Sequence, residues 1–294
     1  PAVWAAQALF RRRPFDAVIA TGPPHFVHAV ALALSKRVGI PWLADLRDPL
    51  VSDFDRTPAP AAHQHTHRRL ERLILRHAHA IVTTSEAFAG HLQARFPARS
   101  ASIRCIPNGF DRDDLRTASA AAAAGPAGRS CGGPPDPPTA SRPSSAVLLA
   151  SGSFYGRRAL QRVVEPLAAV LARHPEWAGR VELRLAGTLD RCQQRELERC
   201  RPDWLTLRGY VPHHEAIALA LQAACTRMSV PAKTYELLAA GRHVLGLVPA
   251  GSETARILER AGACTLAALE DPVAAAEAFE RVLTGHFAGT LPGQ

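Results

Sequence analysis

Residues 229–241 read SVPAKTYELLAAG, and three of them have types and spacing suited to a phosphorylated ligand. Pro231 suits the first turn of a helix, and a helix starting there turns unpaired N–H groups and its positive dipole end toward phosphate oxygens. Lys233 falls in that first turn, where the dipole disfavours a cation and a purely structural helix would carry Asp or Glu. Glu236, one turn beyond Pro231, can accept two hydrogen bonds from the adjacent hydroxyls of a ribose. Together they fit a nucleoside diphosphate. The same residue types also describe a surface helix with an i, i+3 Lys–Glu pair.

Other segments offer complementary chemistry. Gly152 and Gly156 in GSFYGRR permit a tight loop after strand AVLLA and let backbone approach a ligand, with Arg157 and Arg158 adjacent; a solvated turn has the same composition. Gly187 stands at a similar strand end, in VELRLAG. Asp45, Arg47 and Asp48 follow strand PWLAD, so at least one carboxylate projects from its carboxyl end; Asp48 is the candidate, with capping or pairing to Arg47 as the alternative. His25, in the turn TGPPHF, has the residue type for proton transfer near neutral pH, and equally for a structural position at a helix start. His63 and His67 share a helical face, but no acidic ligand or HExxH pattern accompanies them, so no metal is expected.

Positioning these groups requires alternating strands and helices. The 294 residues, 47% hydrophobic and 21% charged with 6% aromatic, suffice for two domains whose cores are filled by Ala, Leu, Val and Ile. From residue 16 short apolar runs (DAVIAT, PWLADLR, AIVTTS, SIRCIP) alternate with helical patterns over 25–38, 63–79 and 85–96, the mark of βαβ units and parallel sheets. Residues 117–145, rich in Ala, Gly, Pro and Ser, read as a disordered linker. The alternation restarts with AVLLAS, VELRLAG, WLTLRGY and HVLGLV, with helices near 159–174, 191–200, 213–224, 232–240 and 253–261, then a short strand and helix. The expected class is α/β, with domains at 1–116 and 146–294. CTRMSV, before the Pro231 helix, is too short and polar for a buried strand.

No apolar run approaches the roughly 20 residues that span a bilayer. The opening PAVWAAQALFRRRP places its basic cluster after the apolar stretch, the reverse of a secretory signal. Six cysteines without a CxxC pair suggest neither a zinc ribbon nor a disulfide framework, and reduced thiols fit a cytoplasmic protein. The net charge of +9 favours an anionic partner, and the basic amphipathic stretch RRLERLILRHAH suits peripheral contact with anionic lipid or simply a solvated face. Charge alone speaks for nucleic acid; no stacking platform or recognition helix supports it, so no nucleic-acid partner is expected.

In order along the chain, WLADLRDPL, VTTSEAFAGHL, IPNGFD, GSFYGRRAL, LRGYVPHHEAIALAL and SVPAKTYELLAAGRHVLGLVPAGSETARILERAGA resemble glycosyltransferase family 4-like proteins of the GT-B fold. The resemblance implies two Rossmann-like domains with parallel sheets facing a cleft, the first contacting acceptor and the second holding a nucleotide sugar. It implies that Glu236 holds the ribose, Lys233 and the amides after Pro231 the phosphates, and Arg157 or Arg158 the diphosphate, with Gly152, Tyr155 and Gly187 also on the nucleotide-sugar side and Asp48 and His25 as catalytic candidates. Such cations replace a metal, so no cofactor is expected beyond the nucleoside-diphosphate sugar as donor. The expected activity is sugar transfer to a saccharide or lipid-linked acceptor in cell-surface polysaccharide or glycolipid assembly, by a chain without a membrane span that is peripheral on the inner face of the cytoplasmic membrane.

The chain departs from that pattern in two places. Retaining members often carry two glutamates eight residues apart, and eight before Glu236 stands Met228. Members also open with a strand and glycine-rich loop, and this chain begins beyond them. The first domain is therefore expected to be incomplete, with an unpaired sheet edge and marginal stability or weak activity. The alternative function is a degenerate GT-B remnant that binds nucleotide or a partner without catalysis.

Overall fold

A computed structural model describes residues 1–51, 61–113, 115–116, 145–151, 160–199, 201–209, 221–223, 227–241 and 243–292. The chain divides into two units: Pro1–Asn108 with Thr226–Val230, and Gly109–Cys225 with Pro231–Gln294. The residues read as a linker lie outside the described ones, Ser145 excepted. So do residues 213–220 of the helix expected over 213–224.

Unit 1 begins with α1 (Ala2–Arg12), which the sequence reading did not assign to a helix. A parallel sheet follows, ordered β1 (Val18–Gly22), β2 (Trp42–Leu46), β3 (Ala80–Thr83), β4 (Ile103–Cys105). Its crossovers are α2 (Val27–Val38), α3 (Ala61–His77) and α4 (Glu86–Arg95). α2 stops because Gly39 takes a left-handed φ of 72°. α4 starts at Ser85, whose hydroxyl accepts from the Phe88 amide. The core gathers Trp42, Leu46, Ile74, Leu75, Ile81, Phe88, Leu92 and Ile103.

Met228 also belongs to that core, only 8% exposed. Ser85 Oγ donates to the Met228 carbonyl, and Asn108 Nδ2 donates to the Val230 carbonyl at 3.2 Å. The polar CTRMSV stretch thus leads not into a strand but into a segment seated on unit 1.

Unit 2 is a second parallel sheet, ordered β10 (Cys264–Ala267), β9 (Val244–Leu247), β8 (Leu221–Ala223), β5 (Ala146–Ser151), β6 (Val181–Ala186), β7 (Leu205–Gly209). α5 (Gln161–Arg173), α6 (Arg191–Arg199), α7 (Ala232–Ala239), α8 (Glu253–Ala261) and α9 (Pro272–Ala288) accompany it. β8 corrects the sequence reading: 221–223 close the helix expected there as a strand, pairing β5 at Ala150–Leu221 and β9 over all three residues. Periodicity could not see it, because three residues between two partners are held by the neighbouring ladders rather than by their own pattern. Among the described residues no helix is long and apolar enough to cross a membrane.

Candidate functional site

Both ligand-directed regions of unit 2 lie at the carboxyl end of its parallel strands, where open α/β sheets bind ligands. α7 is the first. Pro231 precedes it with extended backbone and no side-chain cap, whereas Ser85, Ser252 and Asp271 cap α4, α8 and α9. The Thr234 amide donates to the Pro231 carbonyl at 3.0 Å, while the amides of Ala232 and Lys233 precede the first intrahelical bond. Lys233 and Glu236 are half-buried. Burial holds the Lys233 ammonium below the usual lysine value, with Glu236 pulling the other way. The Thr234 hydroxyl is fully buried and makes no hydrogen bond among the described residues. A desolvated cation on the positive end of a dipole is disfavoured twice, and an anion there would relieve both costs.

Gly187 marks the second region. It follows β6 with φ of 148°, conformationally a glycine position, and its amide donates to the Gly209 carbonyl at 2.7 Å. Gly187, Thr188, Leu189, Leu207, Arg208 and Gly209 line a cavity of about 530 Å³. Sequence reasoning singled out Gly187 but not Arg208, which the register of β6 against β7 brings beside it. Gly152, Tyr155, Arg157 and Arg158 lie outside the described residues.

In unit 1 the strand ends carry His25, Asp45, Arg47 and Asp48. The Arg47 amide donates to the Gly22 carbonyl and its carbonyl accepts from Thr84 Oγ1, each at 3.0 Å, so the end of β2 is fixed between its neighbours. Asp48 is half-buried and Arg47 exposed. Among the described residues Asp48 forms no ion pair with Arg47 within 4.0 Å. His25 is half-buried at the start of α2. Below it lies His28, fully buried, which sequence reasoning missed although its i, i+3 spacing from His25 was legible. Their rings stack at 6.0 Å and 21°, and His28 continues onto Trp42 at 6.1 Å. His63 and His65 are exposed on α3 and His67 half-buried, and no group of three metal-binding side chains stands among the described residues.

Residues 1–109 match the family described as glycosyl transferase 4-like domain. No curated protein matches the chain in sequence. Among solved structures it is similar to an α,α-trehalose 6-phosphate synthase from Burkholderia multivorans, 15% identical with a TM-score of 0.69, covering 99% of this chain and 68% of that one. A UDP-forming trehalose-phosphate synthase from Burkholderia xenovorans, in complex with glucose-6-phosphate, is 13% identical at a TM-score of 0.66, covering 99% and 70%. Anabaena HepE, in complex with UDP-glucose, is 16% identical at a TM-score of 0.51, covering 96% and 77%. The fold is that shared by these GT-B structures.

Within residues 1–109 the chemistry available is that of carboxylates and imidazoles at strand ends: hydroxyl recognition and proton transfer. In unit 2 the uncapped amides of α7 lie next to Lys233, and separately Arg208 lines the recess at Gly187, so each region offers positive charge. The division of labour follows from residue type.

Proposed function

We propose that the chain transfers a sugar from a nucleoside-diphosphate sugar to a saccharide or lipid-linked acceptor in cell-surface polysaccharide or glycolipid assembly. The observation that carries this reading is the half-buried Lys233 at the uncapped amino end of α7. Lys233 and the amides after Pro231 hold the diphosphate, Glu236 grips the ribose, and the Gly187 cavity receives the base. Asp48 and His25 serve the acceptor. Arg157 and Arg158, with Gly152 and Tyr155, complete the diphosphate site in this reading. Positioning and stabilisation of the departing diphosphate supply the catalysis, without a metal. The named ligands of two structural neighbours, UDP-glucose and glucose-6-phosphate, are of the proposed classes.

Calorimetric titration with UDP and GDP tests the donor site. The parent binds one of them, and Glu236→Ala weakens that binding at least tenfold with the thermal midpoint preserved. Failure of both nucleotides to bind the folded chain would overturn the reading.

We also place the protein in the cytoplasm, peripheral on the inner face of its membrane. Arg68, Arg69, Arg72 and Arg76 are exposed together on α3 and supply charge for anionic lipid. A second reading, a GT-B remnant that binds without turnover, is favoured by Met228: the position that would hold a sugar-contacting glutamate is an apolar side chain in the core of unit 1. Nucleotide binding with no release of product across a donor panel would select it.

A further inference from the structure

β7 ends in a β-bulge. Leu185 of β6 pairs with Leu207, but the next residue, Ala186, pairs with Gly209, so Arg208 has no counterpart on the neighbouring strand. Such an extra residue bends its strand and re-aims a side chain, and bulges gather beside functional sites. Here the re-aimed side chain lines the cavity at Gly187, together with Gln194 and the apolar Leu189 and Leu207.

An arginine on the last strand of a sheet ordinarily pairs with a nearby acid. Glu182, the carboxylate that senses the charge of Arg208, is instead hydrogen-bonded to Arg184 at 2.7 Å. Arg208 itself makes no ion pair or hydrogen bond among the described residues, and no carboxylate among them lines the cavity. The recess therefore presents apolar surface suited to the faces of a flat ring, and a guanidinium suited to its edge.

We propose that Arg208 selects guanine, which makes the donor a guanosine-diphosphate sugar. The proposal rests on the reading that the Gly187 cavity receives the base. An arginine fork donates two parallel hydrogen bonds and accepts none, so it demands two adjacent acceptors on one edge of the ring. Guanine presents O6 beside N7. Adenine sets its N6 amine beside N7, and uracil O4 is flanked by N3–H and C5–H, so each gives the fork a single acceptor. Cytosine does pair O2 with N3, but its O2 lies against the sugar. Guanine takes both charge-assisted bonds at a free edge, and the fork turns away its rivals by the donors they would bring.

Calorimetric titration of the parent with GDP, ADP, UDP and CDP tests the assignment. GDP should bind at least tenfold tighter than each of the others. 7-Deaza-GDP, with C–H in place of N7, should lose most of that advantage, whereas IDP, which keeps O6 and N7 and lacks the amine, should retain it. Arg208→Gln should shift the preference toward ADP, because a side-chain amide matches adenine N6 and N7, and a gain of that kind cannot come from misfolding. Lys233→Met should weaken GDP and UDP by the same factor and leave their ratio intact. A parent that binds ADP, UDP or CDP as tightly as GDP, equal affinity for GDP and 7-deaza-GDP, an advantage lost in IDP, a GDP-to-UDP ratio altered by Lys233→Met, or a base preference unchanged in Arg208→Gln overturns the assignment and leaves the donor-site reading standing. A folded parent that binds none of the four diphosphates overturns both.

Discussion

Single atoms decide the outcome at Gly22 and Lys233. A β-carbon on Gly22 would come within 2.8 Å of two imidazole nitrogens, closer than real carbon contacts allow. Gly22→Ala should therefore destabilise the protein by about 1–3 kcal/mol, as overpacking does, and a lowered urea midpoint at unchanged slope would show it. Lys233→Met should behave in the opposite way, holding or raising the thermal midpoint while weakening nucleoside-diphosphate binding, because it removes a desolvated cation from a dipole's positive end. A midpoint that drops would mean that Lys233 is structural. Pro231, Lys233 and Glu236 were legible because helix-end chemistry depends on adjacent residues. The spacing of His28 from His25 was legible but its burial was not: what sets it apart is the stack on Trp42 and the absent β-carbon of Gly22, which come from two different strands.

Elements place these residues, and their own stability is uneven. α3 and α4 are joined by Glu71, 1% exposed, and Arg95, 35% exposed, at 2.8 Å. Arg95→Met should cost more than Glu71→Gln, roughly 3 against 1 kcal/mol, because the carboxylate left behind is buried whereas the guanidinium reaches water. Equal losses in a chemical denaturation series would contradict that asymmetry. β1 lies at one end of the unit 1 sheet order and exposes Ile19 at 71%. Ile19→Lys should raise the concentration at which the protein aggregates, measured by light scattering, since a charge blunts a strand edge. Apolar runs bounded by Gly and Pro gave away the longer strands, whereas the three residues of β8 carry no such pattern and are held by partners on both sides.

On the scale of the whole molecule, His28 and His174 titrate in opposite directions. His28 in unit 1 has a lowered value, so the unfolded chain takes up its proton first. Above 6.5 the ring is neutral in both states and the fold carries no protonation penalty, and stability is lost as pH falls toward about 4. His174 in unit 2 is raised, chiefly by its hydrogen bonds to Glu280 and Glu176. Its contribution is complete below 6.5 and is lost as pH rises through the raised value. Between pH 6.5 and 4.5 hydrogen exchange should therefore accelerate in β1 and α2 while α5 and α9 stay protected; His28→Leu should abolish the acid loss in unit 1. The sequence by itself determined the α/β class, most strands and helices, and the helix end suited to phosphate, because each follows from the periodicity and composition of a contiguous stretch. Only the tertiary structure decided that Met228 packs in the first unit, that His28 is sealed beneath His25, and that Arg208 lines the recess at Gly187. These depend on which distant strands become neighbours, and that is set by burial summed over the whole chain rather than by any local pattern.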